Sequence, residues 1–110
     1  MKNRNDVFKN QRSAVYAVLY NDFRNAALDC GYALAVHGSM LNDMDLIAVA
    51  WTEESKPHPE LVKAISDCIG DTIWKEYHFK QYEVRPHGRI VYTLSIYGDW
   101  RIDLSVIPPK

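Results

Sequence analysis

The stretch Val36-His37-Gly38-Ser39-Met40-Leu41-Asn42-Asp43-Met44-Asp45-Leu46-Ile47 decides how the rest of the chain is read. It joins the end of one apolar run, Tyr32 to His37, to the start of another, Leu46 to Trp51. Short apolar runs bounded by turn residues predict strands, with Gly38-Ser39 as the turn that closes the first. The second run has no polar alternation after Asp45, which predicts a strand covered on both faces and central in its sheet. Residues two apart on a strand point the same way, with Cα atoms ~6.5 Å apart. Asp43 and Asp45 therefore share one face, while Met44 and Leu46 face the opposite layer.

Working outward, Val7 to Cys30 contains neither proline nor glycine. Val15, Leu19, Phe23, Ala26 and Cys30 recur at steps of three and four, which predicts a long amphipathic helix ended by Gly31. On the other side, Pro59 suits the first turn of a second helix over Glu60 to Ile69, with Leu61, Ile65 and Cys68 on one face and Gly70 as its stop. Asp71 to Gly88 fits neither a helical nor a two-residue period and stays mixed. Arg89 to Tyr97 and Trp100 to Ile107 read as strands joined by a Gly98-Asp99 hairpin turn, and Pro108-Pro109 stops the last one. The order α-β-β-α-β-β predicts an α/β (α+β) fold, a small mixed sheet of about four strands with helices packed on one face.

The 110 residues are expected to form one domain, 1–110, without internal repeats. Apolar residues make up 47% and charged ones 25%, which excludes a disordered tail or a coiled coil. Thirteen basic against fourteen acidic residues leave a net charge of −1, so any site for a polyanion must be local. Cys30 and Cys68 lie far apart without the close spacing of zinc or redox motifs, and read as buried free thiols. No apolar run approaches the ~20 residues of a bilayer span, so no membrane contact and a cytoplasmic location are expected.

The chemistry concentrates around the two aspartates. Like charges held close in a partly buried place resist ionising, and a divalent cation relieves them; Mg²⁺ suits such oxygen ligands and keeps places for water and phosphate. The plainer alternative is that Asp43 caps a turn after Asn42 and Asp45 accepts backbone hydrogen bonds. Gly38-Ser39 favours the metal reading, because a glycine admits close backbone approach and neighbouring amides with a hydroxyl hold phosphate oxygens. A third carboxylate, Asp103, lies in Arg101-Ile102-Asp103-Leu104-Ser105-Val106, on the face opposite to Ile102, Leu104 and Val106. Taken alone it is an ordinary solvent-facing strand residue. Arg85-Pro86-His87-Gly88-Arg89 offers two arginines for phosphate oxygens, or else forms a solvated loop. His37, ending a strand, reads as satisfied by a backbone partner, and Trp51, Trp74, Tyr77, Phe79 and Tyr82 read as packing aromatics.

Gly38-Ser39, then Asp43-Met44-Asp45-Leu46, then Ile102-Asp103-Leu104 together resemble the nucleotidyltransferase superfamily of DNA polymerase beta, in its small single-domain form. The chain is also similar to uncharacterised phage-encoded proteins of that group. The resemblance implies that Gly38 and Ser39 contact a triphosphate, that Asp43 and Asp45 ligate two Mg²⁺ or Mn²⁺ ions, and that Asp103 completes one metal site. It implies transfer of a nucleoside monophosphate from a nucleoside triphosphate to a hydroxyl on protein, nucleic acid or a small molecule. Arg85 and Arg89 join this set as candidate nucleotide-binding residues. The rival expectation is a catalytically silent relative that binds a protein: a toxin, a host factor or a second copy of itself.

Overall fold

The computed structural model describes residues 4–38, 43–73, 82–97 and 100–109. Its elements are α1 (Arg4–Asp29), β1 (Tyr32–His37), β2 (Asp43–Ala50), α2 (His58–Ile73), β3 (Tyr82–Val84), a 3-10 turn over Pro86–Gly88, β4 (Ile90–Tyr97) and β5 (Trp100–Ile107). The strands form one five-stranded sheet in the order β1-β2-β5-β4-β3. β2 and β5 run parallel, and every other neighbouring pair is antiparallel. The mixed α+β architecture with helices on one face is as the sequence pattern predicts. The fifth strand is the addition, a three-residue edge piece inside the segment whose periodicity was mixed.

One face of the sheet carries the core. Leu34, Met44, Leu46, Ala48, Leu94, Ile102, Leu104 and Val106 are buried there against Tyr16, Leu19, Phe23 and Ala27 of α1 and Leu61, Val62, Ile65 and Ile69 of α2. These positions alternate along each strand, because successive strand side chains point to opposite faces. β2 follows this alternation closely: Met44, Leu46 and Ala48 are buried, Asp43, Asp45 and Ile47 half-buried, and Val49 exposed. This corrects the expectation of a strand covered on both faces. Asp43, Asp45, Ile47 and Val49 point away from the face that the helices cover, and the centre of the sheet is β5 rather than β2.

Two helix details also differ from the pattern reading. The inward face of α1 runs through Tyr16 and Ala27, with Val15 and Ala26 only partly covered, because the buried stripe turns slightly around a 26-residue helix. α2 begins earlier, at His58, and continues through Gly70 to Ile73. A helix bonded on both sides of a glycine tolerates the ~1 kcal/mol this residue costs, so Gly70 is not a stop. Gly31 does end α1, with φ +87°, and a side chain there would collide with Ser55, whose nearest atom lies 2.8 Å from a built Cβ.

Tyrosine hydroxyls tie the layers together. Tyr20 of α1 donates to the Leu34 carbonyl of β1 at 2.6 Å, Tyr32 donates to the Lys56 carbonyl at 2.7 Å, and Tyr16 reaches the Arg101 carbonyl at 3.4 Å. At the start of α2, His58 Nδ1 lies 2.6 Å from the Tyr92 hydroxyl of β4. Both cysteines are free, Cys30 buried and Cys68 half-buried, and burial pushes both thiols upward in pKa. Among the described residues no helix is long and apolar enough to cross a membrane.

Leu104 sits fully buried on the central strand under both helices. Leu104→Ala is expected to lower unfolding free energy by about 2–5 kcal/mol, read from urea denaturation; a loss under about 0.5 kcal/mol would contradict this core.

Candidate functional site

The second face of the sheet lies opposite the two helices, and its register decides what meets there. Asp45 of β2 pairs with His37 of β1 on one side and with Asp103 of β5 on the other. Asp103 pairs in turn with Thr93 of β4. His37, Asp45, Asp103 and Thr93 thus form one rung across four strands, each step ~4.8 Å. The adjoining rung holds Asp43 opposite Arg101. Three carboxylates from two segments far apart in sequence therefore converge on one end of this face. Parallel pairing with a constant offset makes this possible, since it keeps odd-numbered residues of both strands on the same side.

The electrostatics follow from this crowding. Asp43, Asp45 and Asp103 are all half-buried. Burial lifts the Asp103 carboxyl above the ordinary range, and the negative charges of Asp43 and Asp45 lift it further, as does a hydrogen bond with Asp45 that needs a proton between them. Thr93 acts the other way: its Oγ1 donates to Asp103 Oδ1 at 3.3 Å and favours the ionised form. Gly38 closes the site from the β1 side. Its φ is +83°, and a Cβ built there would stand 3.0 Å from Asp45 Oδ2. A glycine is needed at this position both for the backbone angle and for room beside the carboxylate.

Among the described residues, no group of three or more His, Cys, Asp or Glu side chains is gathered so that it could hold a metal ion. The donor set nonetheless suits a hard divalent cation: oxygen ligands only, from three carboxylates whose mutual repulsion a cation relieves. Were a cation bound here, Asp43, Asp45 and Asp103 are the residues that would hold it.

The other sequence candidates divide. Gly38 is at the site, whereas Ser39 lies outside the described residues, as do Asn42, Trp74, Tyr77, Phe79 and the Gly98-Asp99 turn. Arg85 and Arg89 are exposed and close a turn, the Arg85 N–H donating to the Arg89 carbonyl at 2.6 Å. That turn is not brought to the carboxylates. Ile90 pairs with Val106, near the far end of β5, and Arg89 stands four residues, ~13 Å, along the strand from the Thr93 rung. Arg101, register partner of Asp43 and exposed, is the arginine that the fold places beside the acidic end.

Pattern reading passed over Thr93, and weighed His37 only as a strand-ending residue with a backbone partner. A two-residue turn after Tyr97 would set Leu94 opposite Asp103, but a register shift between Ser95 and Tyr97 moves the pairing by one residue and brings Thr93 there instead. The signal was the facing rule itself: Leu94 belongs to the core face and Asp103 does not, so an unshifted ladder cannot satisfy both. At the opposite end of the same face, Val49, Trp51, Ile107, Pro108 and Pro109 help to line a shallow groove of about 390 Å³. Trp51 is 66% exposed there.

Comparison of the chain with protein-family models, curated proteins and solved structures gives no match in any of the three.

Because the folded state favours protonated Asp103, its charge costs stability at neutral pH. That cost fades as pH falls through the raised folded pKa towards the unfolded value of 3.8. Asp103→Asn is therefore expected to raise the melting temperature by a few degrees at about pH 7 and to change it little at about pH 3. A lower melting temperature at neutral pH would show instead that Asp103 is a stabilising acceptor for Thr93.

Proposed function

We propose that this chain is a metal-dependent nucleotidyltransferase that moves a nucleoside monophosphate from a nucleoside triphosphate to a hydroxyl acceptor and releases pyrophosphate. The observation that supports this reading best is the pairing of Asp45 with Asp103 across parallel β2 and β5, with Asp43 on the same face and Gly38 against Asp45. It is the convergence that the motif resemblance requires, reached by strands whose order and direction the motifs themselves do not specify.

In this reading the new bond joins the acceptor oxygen to the α-phosphorus, the bond that breaks links the α-phosphorus to the bridging oxygen of the leaving pyrophosphate, and the proton of the acceptor hydroxyl passes to solvent water. Bound Mg²⁺ or Mn²⁺ supplies charge neutralisation for the phosphates and lowers the pKa of the acceptor hydroxyl. The protein supplies the rest by position. Asp43, Asp45 and Asp103 would hold the cations, their places along the strands fixed by the parallel pairing of β2 with β5. Gly38 leaves the Asp45 carboxylate room, and its turn gives phosphate oxygens a close approach to backbone. Arg101 stands where a phosphate tail would extend beyond Asp43. The face opposite the helices is where an acceptor would come, whether protein, nucleic acid or small molecule.

A second reading rests on the other end of the same face. The groove beside Trp51, with Val49 and Ile107 each 38% exposed, favours a silent relative that binds a protein through apolar contact. The two separate cleanly. Incubation with labelled nucleoside triphosphates and Mn²⁺ is expected to give label transfer and pyrophosphate, and Asp45→Asn or Asp103→Asn to reduce both by roughly a hundredfold or more. Absence of turnover, together with a partner complex that survives both substitutions and is lost with Trp51→Ala, would overturn the enzymatic reading.

A further inference from the structure

We propose that the groove beside Trp51 is a docking site for a partner protein, taking a proline-rich segment in polyproline II conformation that carries an arginine. The inference rests on the reading of this groove as a protein-docking surface and draws nothing from the acidic end of the sheet.

The groove lies where the ladder between β2 and β5 runs out. Val49 and Ile107 are the last register partners, and beyond them the groove is lined by Trp51, Thr52 and Glu53 on one side and by Pro108 and Pro109 on the other. β2 already has β1 and β5 as neighbours, and prolines have no N–H to offer, so a partner strand finds no ladder to extend here. Recognition has to come from side chains.

The wall that carries Trp51 is pinned in place. The Trp51 N–H donates to the Gly31 carbonyl at 3.3 Å, the Glu54 N–H to Thr52 Oγ1 at 3.2 Å and the Lys56 N–H to the Cys30 carbonyl at 2.9 Å. Trp51 is nevertheless 66% exposed, beside Val49 and Ile107 at 38% each. A tryptophan presented to water on a fixed backbone has the make-up of an interface anchor. At about 390 Å³ the groove is shallow and takes only a few side chains. So small a contact offsets little ordering entropy, which favours an occupant already fixed in shape. Polyproline II is such a shape, and aromatic-lined grooves are where it docks.

Charge selects the remaining side chain. Glu53 lines the groove and is exposed, with Glu54 exposed next to it. A guanidinium stacks on an indole face and meets a carboxylate through two parallel N–H···O bonds, which an ammonium cannot do. Trp51 and Glu53, two residues apart in one pinned turn, supply the ring and the carboxylate.

Fluorescence anisotropy of a labelled, end-blocked peptide of leucine and proline around one arginine is expected to show saturable binding to the full chain. Affinity should fall about fivefold or more when glutamine replaces the arginine. Glu53→Gln is expected to remove that preference, and Trp51→Ala to weaken both peptides about tenfold or more. If Trp51→Ala does not fold, Trp51→Phe compared with Trp51→Leu isolates the ring in the same way. Equal affinity for both peptides, lost with the ring, would overturn the basic partner and leave apolar docking standing. Binding of neither peptide at millimolar concentration would overturn the proline-rich occupant, while a partner complex that still needs Trp51 would keep the docking reading. Arginine amide bound as tightly as the peptide would overturn the protein partner and assign the groove to a small organic cation.

Discussion

Everything at the acidic end of the sheet depends on the parallel pairing of β2 with β5. Two strands far apart in sequence, with α2, β3 and β4 between them, lie side by side at a constant register. One residue of slippage in β5 would turn Asp103 into the core and bring Ile102 or Leu104 to the surface, and the same slip in β2 would do so for Asp45, Met44 and Leu46. The buried set Met44, Leu46, Ala48, Ile102, Leu104 and Val106 forbids that slip, since each is fully buried under the helices. The same apolar packing that stabilises the domain therefore fixes which carboxylates meet. Core and site are two faces of one register.

That arrangement explains what could be read from the chain and what could not. β1 and β5 were legible to the residue, because each is an apolar run with clear stops: Gly31 and Gly38 for one, the prolines for the other. Asp43 and Asp45 were legible as a pair, since strand geometry alone aligns residues two apart. Asp103 was legible as an outward-facing acid but not as a neighbour of Asp45, because strand order is a tertiary fact set by how the helices and crossovers pack. The resemblance to nucleotidyltransferases supplied that link as an expectation, and the register brings the two residues together.

The misreadings have physical causes of their own. Ile47 and Val49 made β2 look covered on both sides, yet hydrophobic residues are common on open surfaces, so their presence does not imply a covering layer. Gly70 looked like a helix stop because isolated glycines often are; Leu61, Val62, Ile65 and Ile69 hold α2 down strongly enough for the helix to run on. Arg85 and Arg89 drew attention as a local cluster of positive charge. Antiparallel pairing of β4 carries their turn to the far end of β5, which no inspection of the cluster itself would show.

The hydroxyl of Tyr20 on the Leu34 carbonyl has a consequence for the molecule among its neighbours. Among the described residues β1 is a border strand paired with β2, and from Tyr32 to Val36 it carries no charge, proline or bulge that would discourage a stranger from zipping onto it. By occupying a carbonyl in the middle of that border, a single phenol blunts the template from within the fold.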